Sequence, residues 1–250
     1  MRLGSPWEQL VPSSLLFLTE DDLARMTGKL DTDCSAQTVL AWRQFIPLLP
    51  EELYDALSAN VPYSPRYNFA IDTYGCGKID LDLTDGDRVV AEANRRFCLG
   101  EGVAYNDSFV IWDPEDRGTG ISRHFMHNVF KIYKDWGIHT IFCSAGLEDG
   151  GFTWARYGFK TTSEDWKRLR PDLHSRLWAQ NINWDVQTEV ARHIDNDDPM
   201  GLWFVSDLTI PCGTTTLGRV LLSGLSWKGT FWFGDQSCID RFNGHVGAKL

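Results

Sequence analysis

The spacing of apolar and polar positions changes character several times along this 250-residue chain. Up to about residue 63 it is helical. Glu20-Asp-Asp-Leu-Ala-Arg-Met follows Thr19, an N-cap candidate with acids in the first turn. Ser35-Ala-Gln-Thr-Val-Leu-Ala-Trp-Arg-Gln-Phe puts apolar residues 36, 39, 40, 42 and 45 on one face. Pro50-Glu-Glu-Leu-Tyr-Asp-Ala-Leu opens on a proline with acids beside it, a helix start.

From residue 67 the period drops to two. Tyr67-Asn-Phe-Ala-Ile and Lys78-Ile-Asp-Leu-Asp-Leu alternate as half-buried strands do, and Asp85-Gly86 marks a tight turn after the second. Val89–Leu99 suits strand or helix and is read as a strand paired back across that turn. Ser108-Phe-Val-Ile-Trp112 is nearly all apolar, the pattern of a strand buried on both faces. Then Ile121, Phe125, Met126, Val129, Ile132, Tyr133 and Trp136 recur at helical spacing until Gly137 stops them, and Ile138–Cys143 reads as a second buried strand. Strand, glycine turn, helix and strand predict a βαβ unit with parallel strands. Further on, helices are expected near Ser163–Gln180, Asp185–Ile194 and Leu217–Leu225, and strands at Gly201–Ser206 and Gly229–Phe233. The fold class is therefore α/β. Residues 1–63 form a helical extension, 64–162 a core, and 163–250 a C-terminal α/β extension packed on it, within one domain.

Composition narrows the functional classes. A net charge of −10 speaks against a sequence-independent nucleic-acid binder, which needs a cationic surface, and suits a cationic or amine substrate better. No stretch approaches the roughly 20 apolar residues of a membrane span. Leu15-Leu-Phe-Leu18 is too short, and acidic too soon afterwards, for a secretory signal. Six scattered cysteines (34, 76, 98, 143, 212 and 238), none in a Cys-x-x-Cys pair, read as reduced thiols of a cytoplasmic protein.

The chemistry concentrates in Asp113-Pro-Glu-Asp-Arg-Gly-Thr-Gly-Ile-Ser-Arg123. Glycines between a strand and a strong helix allow a tight turn and leave amides accessible. The helix N-terminus adds partial positive charge and Arg117 a full one, so the turn suits a pyrophosphate. It is not a P-loop, which needs a lysine after the last glycine. Nor is it a dinucleotide fingerprint, whose third glycine is replaced by Arg123.

Glu115-Asp-Arg-Gly-Thr-Gly120 behind a strand and a proline resembles the acetyl-CoA motif of GNAT-family N-acetyltransferases, (Gln/Arg)-x-x-Gly-x-(Gly/Ala). Ile141-Phe-Cys-Ser-Ala and Gly150-Gly-Phe-Thr-Trp-Ala-Arg-Tyr-Gly-Phe159 follow in the family's order, over roughly residues 67–162. The resemblance implies a GNAT-like acyl-CoA N-acyltransferase fold, a mixed central sheet with two splayed parallel strands. It implies that Arg117, Gly118, Thr119, Gly120, Ile121 and Ser122 hold the pyrophosphate of acetyl-CoA or another acyl-CoA. Ile111, Trp112 and Asp113 would pair with the pantetheine, and an amine of a small molecule or peptide would attack the thioester. Two positions depart from the family pattern. Glu115 replaces the usual Gln or Arg, and Trp154 aligns with the tyrosine that many members use as general acid, although indole cannot give a proton to a thiolate. Tyr157 and Ser144 are the substitute catalytic candidates. Without a working acid, the alternative is a GNAT-like module that binds CoA or a partner without turnover.

Several other residues carry a functional and a structural reading side by side. His124 and His127 stand one helical turn apart, yet no third metal ligand is evident, and no metal is expected. Glu148 and Asp149 could deprotonate an ammonium or simply solvate a loop. Arg168 and Arg170 could meet the cofactor's 3′-phosphate or decorate a helix. Trp203, Phe204, Trp227, Phe231, Trp232 and Phe233 could line an acyl or peptide groove, including one for a long fatty acyl chain, or pack the core.

Overall fold

A computed structural model describes residues 46–71, 76–146, 148–196, 198 and 200–250. The helices expected after Thr19 and Ser35 lie outside these residues. The protein is α/β and divides into two compact units, one ending at His139 and the other spanning Thr140–Lys249.

In the first unit, helix α1 (Pro50–Ser58) precedes an antiparallel meander of β1 (Ser64–Ile71), β2 (Gly77–Asp85), β3 (Arg88–Cys98) and β4 (Val103–Ile111), and then helix α2 (Ile121–Asp135). Alternation decides the faces. On β2, Ile79, Leu81 and Leu83 are buried while Lys78, Asp80 and Asp82 are half-buried on the other side. The Asp85-Gly86 turn forms as expected, with Gly86 at φ +60° and Asp85 facing Arg88. Helix α2 buries the residues its periodicity singled out, among them Ile121, Phe125, Val129 and Tyr133. Phe125 stacks on Phe109 of β4 at 5.4 Å. Its end is a Schellman cap: Ile138 N–H donates to Tyr133 O, Gly137 N–H donates to Lys134 O, and Gly137 has φ +73°.

Two expectations for this unit are corrected. Ser108–Trp112 is only the last part of β4, which begins at Val103. Its residues 108–111 are half-buried, and Trp112 lies beyond the strand, 52% exposed. An apolar run signals a buried strand only when both faces are covered. The cysteines are not all reduced thiols either: Cys76 and Cys98 form a disulfide. The β2–β3 register pairs Gly77 with Phe97, so the next pair outwards brings the two Cα atoms to 4.7 Å, within disulfide range.

In the second unit, β5 (Thr140–Ala145) and β6 (Lys160–Thr161) pair antiparallel with β9 (Trp227–Trp232), and helix α3 (Gly150–Arg156) lies between β5 and β6 in sequence. Helices α4 (Ser163–Trp178) and α5 (Trp184–Asp195) form where the periodicity places them, with Thr162 and Asn183 as side-chain N-caps. Trp166, Leu169, Leu173 and Leu177 make the buried stripe of α4. Gly201–Ser206, expected as a strand, is instead helix α6. A six-residue apolar run carries no period that separates the two. Here Gly201 sits so close to Trp166 that a Cβ would come within 2.3 Å of its ring. The unit is completed by the hairpin β7 (Pro211–Cys212) and β8 (Thr215–Thr216), helix α7 (Leu217–Leu222) and a final helix α8 (Gln236–Val246).

Candidate functional site

The turn between β4 and α2 lies wholly within the first unit. After Ile111 the chain makes a single 3₁₀ turn at Pro114–Asp116, closed by Arg117 N–H donating to Pro114 O at 3.2 Å. The Thr119 hydroxyl then donates to Asp116 O at 2.7 Å, tying the glycine segment to that turn. Gly118 and Gly120 have φ of +79° and +94°, conformations that side-chain-bearing residues rarely adopt. Both glycines face open space: a Cβ on Gly118 would meet nothing within 4 Å, and one on Gly120 only the edge of His124.

This backbone path leaves a row of donors without partners among the described residues. Arg123 and His124 N–H groups donate to Gly120 O, so the helical ladder starts there. Among the described residues, no acceptor takes the N–H groups of Gly118, Thr119, Gly120, Ile121 or Ser122. Gly118 and Thr119 are exposed, and Gly120 and Ser122 half-buried. Together with the positive end of a 15-residue helix, such a row has the polarity to receive an anion and is the candidate seat for one. Arg117 folds back along β4, its Nε donating to Ile111 O at 3.3 Å.

Acidic residues flank this seat. Asp113, Glu115 and Asp116 precede it, and the guanidinium groups of Arg88, Arg117 and Arg123 balance them in number. Arg88, from the start of β3, places one nitrogen 2.8 Å from both Asp113 and Asp116, and another 3.6 Å from Asp85. These hydrogen bonds, Asp116 first and then Asp113, raise the Arg88 pKa still further above its usual value. Tyr63 donates its hydroxyl to Asp116 at 3.2 Å; desolvation, then the neighbouring Asp116, pushes its phenol pKa up. Glu115 is exposed.

The other sequence candidates separate into accessible and structural groups. Ser144 is exposed on β5, directly opposite Lys228 of β9. Tyr157 is buried, with Trp154, Phe242 and His245 around its ring at 6.1, 5.8 and 4.8 Å. Trp154 is itself buried, edge-on to Phe159. Asp149 accepts from Arg219 and from Ser223, which fixes the start of α3 to α7. Arg168 binds Asp165 and the Ser226 carbonyl, and Arg170 the Asn196 carbonyl, so both tie elements of the second unit together. Trp203, Trp227 and Phe231 are core residues, Phe204 stacks on His193, and Trp232 is exposed. His124 and His127 belong to no group of three or more metal-ligating side chains among the described residues. No described helix is long and apolar enough to cross a membrane.

Sequence reading missed Arg88, Tyr63 and the linking role of Asp116. Only Asp85-Gly86 pointed towards Arg88, by placing it just after a hairpin turn; nothing local connects it to residues 25 and 28 positions later. No protein-family model matches the chain, and no curated protein matches it.

Proposed function

We propose that this protein is a GNAT-like N-acyltransferase that moves an acetyl or longer acyl group from acyl-CoA to an amine of a small molecule or peptide. The observation that carries the reading is the row of five successive N–H groups, Gly118 to Ser122, at the positive end of α2, which find no acceptor among the described residues. A diphosphate offers acceptor oxygens in the number such a row can serve. The order of motifs from Phe109 to Phe159 resembles that of GNAT-family enzymes and supplies the link from diphosphate to thioester. The reaction is direct attack of a neutral amine on the thioester carbonyl, with the CoA thiolate as leaving group and a proton passing from the amine to a base.

Ser144 is the accessible candidate for protonating the thiolate, whereas Tyr157 is sealed in an aromatic cluster. That burial, together with Trp154 at the family's tyrosine position, favours a second reading in which the domain binds CoA without turnover. A thiol-release assay with acetyl-CoA and long-chain acyl-CoA over a panel of amines and peptides separates the two. Release that depends on the acceptor supports the enzyme; tight CoA binding with no release on any acceptor supports the module; no CoA binding defeats both.

A further inference from the structure

We infer that Arg88 is the positioning residue that makes this acidic turn acceptable to a polyanion, by holding Asp113 and Asp116 and offsetting part of their charge beside the amide row. This rests on the reading that Gly118–Ser122 seats the CoA diphosphate. Three carboxylates within four residues, Asp113, Glu115 and Asp116, would otherwise repel the ligand that the backbone is shaped to receive. Arg88 bridges two of them with a single nitrogen 2.8 Å from each. Asp116 is close to the seat, because its carbonyl accepts the Thr119 hydroxyl at 2.7 Å. Tyr63 holds the same carboxylate from another side, so Asp116 cannot easily swing away.

The effect is large enough to measure. Loss of the single positive charge of Arg88, roughly 10 Å from a doubly charged diphosphate, weakens binding about threefold at ~10 mM ionic strength and about 1.5-fold at ~150 mM. A purely mechanical role for Arg88, stiffening the turn, would not fade with salt in this way. Nor would it be relieved by neutralising the acids.

The test is calorimetric titration of CoA into the full chain, into Arg88→Met, and into the triple variant Arg88→Met, Asp113→Asn, Asp116→Asn, at low and physiological ionic strength. The expected result is weaker binding by Arg88→Met, most at low salt, with affinity recovered in the triple variant. Equal affinity of Arg88→Met and wild type overturns the inference, as does a loss that is independent of salt and not recovered. Should Arg88→Met fail to fold, Asp113→Asn in the wild-type background decides. It removes one negative charge beside the seat and is expected to tighten CoA binding about threefold at low salt, and unchanged affinity overturns the inference. CoA binding by wild type combined with either negative result removes the role of Arg88 alone; no CoA binding by wild type removes the functional reading with it.

Discussion

Asn128 of α2 donates its side-chain amide to the carbonyl of Ala59, just past the end of α1, at 2.7 Å. The same nitrogen donates to Leu57 O at 3.0 Å. Asn128 is buried, so one polar side chain at the centre of an apolar helix face satisfies two terminal carbonyls of its neighbour. Replacing it by leucine keeps the branching of the side chain and removes both bonds. Asn128→Leu is expected to lower stability by about 1–3 kcal/mol, because carbonyls near the interior lose their donors. Urea unfolding checks this: the midpoint should fall with the slope unchanged. An unchanged midpoint would show that solvent serves these carbonyls equally well.

The disulfide gives a prediction that redox conditions can reverse. Peptide mapping without reductant should recover the Cys76 and Cys98 peptides joined. The two half-cystines are 22 residues apart, and closing a loop of that size in the unfolded chain is worth about 3 kcal/mol. Cys76→Ser with Cys98→Ser should therefore lower the urea midpoint to that of the reduced wild type. Two separate peptides in the unreduced digest would refute the pairing.

Much of the fold was legible because the chain obeys simple periods. On β2 and α2, burial follows apolar spacing closely, and one glycine with a positive φ ends each of two elements where the sequence places the stop. Legibility failed where a segment is short or its partner distant. Gly201–Ser206 is too brief to show a period, and Gly201 packs against Trp166, distant in sequence. Helix α8 buries only Cys238 and Phe242, too few apolar positions to announce a helix. Cys76 and Cys98 become partners only once the β2–β3 register is known. The candidate site divides in the same way. Its glycine turn is local and was visible, whereas Arg88 reaches it through sheet pairing.

Acid sensitivity should localise to Asp235 in the second unit. Lys160 first, and then Ser237, stabilise its carboxylate and hold the pKa at about 2. The folded value lies below the ~3.9 of an unfolded aspartate. The pair's contribution is therefore fully present above pH ~4 and is lost as pH falls towards ~2. Asp235→Asn can still accept the Ser237 N–H but cannot pair with Lys160. The stability difference between wild type and Asp235→Asn should shrink as pH falls through that window, read from urea midpoints. A difference that stays constant would show that the ion pair contributes nothing titratable.

The central claim is that the Gly118–Ser122 amides seat the diphosphate of CoA, and calorimetric titration of CoA into the wild-type chain and Gly120→Val tests it most directly. Gly120 has φ +94°, which a β-branched residue cannot hold without strain, so the substitution should disrupt the row where α2 begins. The account predicts saturable micromolar binding by wild type, lost in Gly120→Val while circular dichroism shows the same secondary structure. No binding by wild type, or equal binding by a folded Gly120→Val, would contradict it.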